Sequence, residues 1–136
     1  TAENGSNNAV MGITASPQEY ETFVQLAIER PDVEKTYKTF FGDIYQLDAR
    51  LLPQFEVVTL FHLCEFRTEK NDAYGALTDR QVLDMFTQKT KSGGYLLFYS
   101  GSFAYDAALR IVADWEKESP VEKVGMYETL LVYRKK

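Results

Sequence analysis

Two nearly continuous apolar runs, Val57-Val58-Thr59-Leu60-Phe61 and Tyr95-Leu96-Leu97-Phe98-Tyr99, constrain this chain more than any other feature. A strand wetted on one face alternates apolar and polar side chains. A strand covered on both faces reads as an unbroken run, the pattern of parallel sheets. Between the two runs lies a helix signature. Thr78 and Gln81 have capping-box spacing, Val82, Met85 and Phe86 share one face, and Gly93-Gly94 is the expected stop. Strand, helix and strand in that order predict a parallel pair joined by a crossover helix.

The rest of the chain follows the same grammar. Glu3-Asn4-Gly5-Ser6-Asn7-Asn8 is turn chemistry, and the apolar run Ala9–Thr14 follows it as a short strand. A helix then begins with Ser16 as cap, Pro17 in the first turn and Glu19 completing a capping box. Its expected stripe is Phe23, Val24, Ala27 and Ile28, and Pro31 ends it. Lys35 to Phe41 reads as a strand ending at Gly42-Asp43, and Pro53 precedes a strand from Phe55 to His62. Ala104 to Trp115 has helical spacing through Ala108, Ile111 and Val112. Two closing strands, Val121 to Val124 and Tyr127 to Tyr133, flank an expected turn at Gly125-Met126. The prediction is a single α/β domain over residues 1–136, a three-layer, mostly parallel sheet. Tyr95–Tyr99 and Val57–Phe61 should be parallel neighbours, with Tyr127–Tyr133 antiparallel. In such sheets ligands bind beyond the carboxyl ends of the strands.

Composition narrows the function classes. Of the 136 residues, 45% are apolar, with nine Tyr and nine Phe, which suffices for a packed core. Fifteen basic against twenty acidic residues give a net charge of −5, poorly suited to neutralising a phosphate backbone. Lys89, Lys91, Lys117, Lys123, Arg134, Lys135 and Lys136 are scattered as a solvated surface would be. The single Cys64 has no internal disulfide partner, and no Cys/His cluster suggests a metal. The apolar runs fall far short of the ~20 residues of a membrane span. Thr1–Ala9 has no signal-peptide pattern, so the expected location is the cytoplasm.

The strand ends are the places to look for chemistry. Gly12-Ile13-Thr14-Ala15-Ser16-Pro17 is explained by a strand running into a capped helix. Asp43 after Gly42 can be a turn former or a ligand to a polar group. His62, the only histidine, is either a structural residue or the group that moves a proton near neutral pH. Lys91-Ser92-Gly93-Gly94-Tyr95 is a helix-stop turn entering a strand.

In order and spacing these landmarks resemble the class I S-adenosylmethionine-dependent methyltransferases. That family has a strand like V-x-G-I-D-x-S-P, a later G-D step, a strand like F-D-V-V-x-x-x-H-x-L, and K-P-G-G-x-L-L before the next strand. The resemblance runs from Val10 to the closing Tyr127–Lys136 segment. It implies S-adenosyl-L-methionine as cofactor, a small molecule or other acceptor as methyl receiver, and a Rossmann-like sheet with an antiparallel C-terminal strand. Thr14 stands where the family has an acidic residue on the ribose hydroxyls, with Ala15 and Ser16 beside it. Asp43 matches the residue facing the adenine amino group, and Ile44 offers a backbone N–H. Thr59, Leu60 and Phe61 match contacts to the methionine portion, and His62 falls at the edge of the acceptor pocket as the candidate base. Ser92 replaces a proline of the pattern.

The family's first strand and glycine-rich loop should precede Val10. Only nine residues do, and Gly5 is their single glycine. The resemblance therefore implies an N-terminally truncated domain lacking the first strand. The favoured explanation is a fragment of a longer methyltransferase, whose isolated 136 residues should be inactive; a strand-completing partner or second copy is an alternative. A non-catalytic Rossmann-like binding or assembly module is the competing function. Nicotinamide-dependent dehydrogenases share the layered sheet, but the closing hairpin Val121–Tyr133 counts against them.

Overall fold

The structure is a computed structural model that describes residues 8–136. The turn expected at Glu3–Asn8 therefore lies, up to Asn7, outside the described residues. The chain divides into two compact units, Thr1–Leu47 and Asp48–Lys136.

In the first unit, β1 (Val10–Thr14) pairs in parallel with β2 (Tyr37–Phe41), Val10 opposite Tyr37 and Thr14 opposite Phe41. Helix α1 (Pro17–Glu29) makes the crossover. Ser16 caps it by accepting from the Glu19 N–H, and the proline lies in the first turn, as expected. The reciprocal half of the capping box is not formed, because the Glu19 carboxylate takes the Thr14 hydroxyl instead. The packed stripe also differs. Tyr20 lies against Phe41 at 5.3 Å and Phe23 meets the Tyr37 ring edge-on at 5.4 Å, whereas Val24 and Ile28 are left exposed. Aromatic rings three residues apart cover β2 with more area than the branched aliphatics would, and so set the helix rotation. The segment Val33–Lys35 is a 3-10 turn with Val33 buried, so β2 starts at Tyr37 rather than Lys35.

The second unit is a four-stranded sheet in the order β3-β4-β6-β5, formed by β3 (Phe55–Thr59), β4 (Thr90–Tyr99), β5 (Val121–Tyr127) and β6 (Leu130–Lys135). β3 and β4 are parallel, Val57 opposite Tyr95 and Thr59 opposite Leu97. β6 runs antiparallel to both β4 and β5. The expected pairings of the apolar runs and of the closing strand are thus all present. A single turn, α2 (Glu69–Asp72), gave no sequence signal. Helix α3 (Asp79–Lys89) opens with both halves of the Thr78–Gln81 capping box, and α4 covers Tyr105–Glu118. Among the described residues no helix is long and apolar enough to cross a membrane.

Three boundaries move. Gly93-Gly94 does not end α3, which stops at Lys89; both glycines lie inside β4. There the register slips, with Phe55 opposite Thr90 but Val57 opposite Tyr95. A Cβ on Gly94 would stand 2.7 Å from the Glu56 carbonyl oxygen, so the glycine serves a close backbone approach. The hairpin turn is at Glu128-Thr129, not Gly125-Met126, and Gly125 (φ 133°) sits at a register shift in β5. Finally, β3 ends at Thr59, and residues 61–65 form a turn.

The core of the second unit is built around Trp115, which is fully buried. Its ring meets Phe98 of β4 at 5.9 Å and Tyr133 of β6 at 5.1 Å, both edge-on, and its indole N–H donates to the Thr87 hydroxyl of α3 at 2.9 Å. Val82, Leu83, Met85 and Phe86 of α3 and Ala108 and Val112 of α4 complete this layer. Along β4 burial alternates although the sequence does not. Leu96 and Phe98 are buried, while Tyr95 and Tyr99 are 40% and 37% exposed.

Replacing Trp115 with alanine empties the largest buried volume here and should destabilise the chain by about 3–5 kcal/mol. Thr87→Val, which strands the indole N–H and removes the hydroxyl's own bond to the Leu83 carbonyl, should cost about 1–3 kcal/mol. Urea unfolding followed by circular dichroism reads both as lowered midpoints at unchanged slope. A Thr87→Val chain as stable as the parent would show that the hydroxyl's bonds to Trp115 and Leu83 contribute nothing.

Candidate functional site

The candidate residues of the first unit gather at the carboxyl ends of β1 and β2. Parallel pairing puts both ends on one side, and the Gly42 N–H donates to the Thr14 carbonyl at 2.9 Å, bringing the start of the Gly42-Asp43 step beside Thr14. The Thr14 hydroxyl donates to the Glu19 carboxylate and accepts from the Ser16 N–H at 3.0 Å. A carboxylate therefore does stand at the end of β1, supplied by the first turn of α1. Sequence reasoning assigned Glu19 to the helix cap and missed this, because a spacing of five residues across a strand-to-helix turn carries no recognisable pattern. The Ser16 hydroxyl is committed to capping α1, and Ala15 is exposed. Asp43 caps a 3-10 turn, Ile44–Gln46, accepting from the Tyr45 N–H at 2.8 Å and from the Gln46 side-chain amide at 3.4 Å. Its turn-forming role is thus realised.

In the second unit the candidate residues lie at the end of β3 and just after it. Thr59 is exposed and Leu60 is buried, the latter extending the ladder by donating to the Leu97 carbonyl at 2.9 Å. The Phe61 ring lies 6.0 Å from that of Tyr99, the last residue of β4. His62 sits in the turn after the strand, 61% exposed, with its Nδ1 2.9 Å from the Glu65 carboxylate. The Glu65 side chain is only 4% exposed, and its other oxygen accepts from the Ser102 hydroxyl in the loop after β4. Ser102 in turn accepts from the Ala104 N–H at 3.1 Å. The Phe66 ring, 64% exposed, is 5.9 Å from the imidazole. Glu65 and Ser102 were not read as site residues from the sequence. The spacing of three between His62 and Glu65 becomes meaningful only once residues 61–65 are known to turn.

This arrangement limits the available chemistry. Ser102 touches the carboxylate and not the imidazole, so it is not a nucleophile activated by His62. Cys64 is held in a left-handed conformation (φ 71°), with its N–H on Asp79 at 3.1 Å. Burial, with the Asp79 carboxylate adding to it, pushes its thiol up to about 11. Among the described residues no group of three or more His, Cys, Asp or Glu could hold a metal ion. What remains is an exposed imidazole oriented by a buried carboxylate in one unit, and a set of hydrogen-bonding groups at strand ends in the other.

Neither a family model nor a curated sequence matches the chain. Solved structures do. It is similar to the StiE O-MT segment with a TM-score of 0.65 at 14% identity, over 90% of this chain and 40% of that one. The N-methyltransferase NodS from Bradyrhizobium japonicum WM9 matches with a TM-score of 0.60 at 14% identity, over 93% of this chain and 73% of that one. A precorrin-6y C5,15-methyltransferase from Geobacter metallireducens GS-15 matches with a TM-score of 0.62 at 12% identity, over 98% and 72%. The chain thus spans 40% of the first of these proteins and just over 70% of the other two. A further NodS structure holds S-adenosyl-L-homocysteine. At these identities the likeness is one of fold: the chain has the class I methyltransferase fold, mixed α/β with parallel strands and an antiparallel C-terminal strand.

The state of Cys64 gives a direct check on the geometry of the 61–65 turn. A thiol moved from 9.0 to about 11, two pH units, has about a hundredfold less thiolate at neutral pH. Alkylation of the folded chain by iodoacetamide should be slower than that of free cysteine by about that factor, and should recover on unfolding in urea. Equal rates in the folded and unfolded chain would mean that the turn leaves the thiol open to solvent.

Proposed function

We propose that this chain performs S-adenosylmethionine-dependent methyl transfer to an acceptor, as part of a longer or completed chain. The observation that carries the reading is positional. In a fold whose solved examples include methyltransferases, the polar candidates stand directly after parallel strands, where such sheets take ligands. The bound cofactor supplies an electrophilic methyl group on a sulfonium, and the protein's part is alignment rather than nucleophilic chemistry.

The residues present suit that cofactor chemically. A ribose diol presents two O–H donors, and the end of β1 offers the Glu19 carboxylate together with the Thr14 hydroxyl and the Ala15-Ser16 backbone. An adenine amino group is a donor and the Asp43 carboxylate at the end of β2 is an acceptor, with the Ile44 N–H as the complementary donor. In the resemblance, Thr59, Leu60 and Phe61 match the family's contacts to the methionine portion, and His62 is the candidate base. The edge of β1 away from β2 carries no strand among the described residues.

Calorimetric titration with S-adenosylmethionine, on a form extended upstream of Val10, tests the assignment. Asp43→Asn keeps an oxygen for the turn but turns an amide N–H₂ toward the adenine amino group. It should weaken binding about tenfold or more, the loss of a charge-assisted hydrogen bond. His62→Ala should change affinity by less than about twofold, because the imidazole is assigned to the acceptor. Equal losses, or a larger one for His62, would mean that the adenine and acceptor ends are misassigned. No binding by the extended form would reject cofactor use itself.

A further inference from the structure

Glu65 constrains His62 more tightly than a surface ion pair could. A carboxylate this far from water is strongly disfavoured unless donors meet its oxygens. Ser102 meets one oxygen, and the other stands 2.9 Å from His62 Nδ1. A lone pair on Nδ1 would set two acceptors against each other, so that nitrogen must carry the proton. In a neutral imidazole the lone pair is then on Nε2. The ring is largely exposed, and Nε2 has no hydrogen-bond partner among the described residues. Ser102 is itself fixed by the Ala104 N–H, so the carboxylate is anchored from the loop after β4 as well as from its own turn.

We propose that Glu65 is a positioning residue that locks His62 as its Nδ1–H tautomer and presents Nε2 as a general base toward a hydroxyl acceptor. The hydroxyl class rests on the methyl-transfer reading above. A neutral amine already carries a nucleophilic lone pair and a thiol ionises readily. A neutral hydroxyl is a poor nucleophile and benefits most from a base within reach. In the step, the acceptor oxygen forms its bond to the methyl carbon as the carbon–sulfur bond breaks, and sulfur keeps that electron pair as a neutral thioether. The O–H proton passes to His62 Nε2, and the resulting imidazolium is stabilised through Nδ1–H by the Glu65 carboxylate. The exposed Phe66 ring beside the imidazole offers an apolar surface to an acceptor carrying its hydroxyl on an aromatic ring.

With one histidine in the chain, the tautomer can be read without assignment ambiguity. Long-range proton–nitrogen spectra of the 15N-labelled full chain, at a pH where the imidazole is neutral, should show Nδ1–H as the dominant form. Glu65→Ala should move the tautomer ratio toward Nε2–H by about tenfold or more. Glu65→Gln, whose carbonyl oxygen still accepts, should retain Nδ1–H. Titration with phenol should shift the Nε2 resonance, whereas anisole, the same ring without an O–H, should not. An Nε2–H parent, or a ratio unmoved in Glu65→Ala, overturns the lock. Equal responses to phenol and anisole, or none to phenol, overturn the hydroxyl assignment. The cofactor is absent from all of these measurements, so their failure leaves the methyl-transfer reading standing. A locked tautomer beside a failed cofactor titration would reject that reading, and the hydroxyl methyl acceptor with it, and leave the lock standing.

Discussion

The parallel pairing of β3 with β4 is the constraint on which the second unit depends. β4 is bonded on both edges, to β3 in parallel and to β6 antiparallel, and its buried face is held by Trp115 through Phe98. Because β3 and β4 run the same way, their following loops emerge on the same side. The rings of Phe61 and Tyr99 therefore meet, and the loop holding Ser102 reaches the Glu65 carboxylate. An antiparallel pair would send these loops to opposite ends of the sheet. The Glu65 anchor is thus a consequence of strand direction, fixed further by the Leu60 N–H on the Leu97 carbonyl at the last rung.

A similar dependence governs the first unit on a smaller scale. The Thr14 hydroxyl is drawn in two directions, toward the Ser16 N–H and the Glu19 carboxylate, and both partners exist only because α1 starts at once after β1. The Ser16 N–H, which the reciprocal cap would use, donates to the Thr14 hydroxyl instead, and this frees the Glu19 side chain. The carboxylate then lies at the strand end rather than back over the cap residue.

Element type and pairing were legible in the sequence because they follow from local chemistry. The Thr78–Gln81 box, the Pro17 start and the two apolar runs each act over a few residues, and each is present in the structure. What was not legible depends on contacts across the chain. Gly93-Gly94 reads as a helix stop, but Gly94 is required by the approach of the Glu56 carbonyl from another strand. Helical spacing puts the α1 stripe over Val24 and Ile28, whereas the helix packs Tyr20 against Phe41, a partner that lies beyond the crossover. Glu65 and Ser102 are separated by 37 residues, and no linear pattern links them. Of the candidate site, the strand-end positions could be read in advance, while the groups that orient them could not.

This division bears on how such a fold tolerates sequence change. The chain shares 12–14% identity with structures it overlays across at least nine-tenths of its length. Apolar runs and capped helices can be rewritten with other residues of suitable size and propensity, so the layers persist while identities drift. Methyl transfer adds few demands of its own, since alignment of an acceptor can be met by backbone groups and by carboxylates arriving from different elements. A Glu19 that reaches the end of β1 from a helix, and a Glu65 that reaches His62 from within a turn, occupy positions in space rather than positions in a motif. In this fold, chemistry of that kind is found by asking which polar atoms the strand directions bring together.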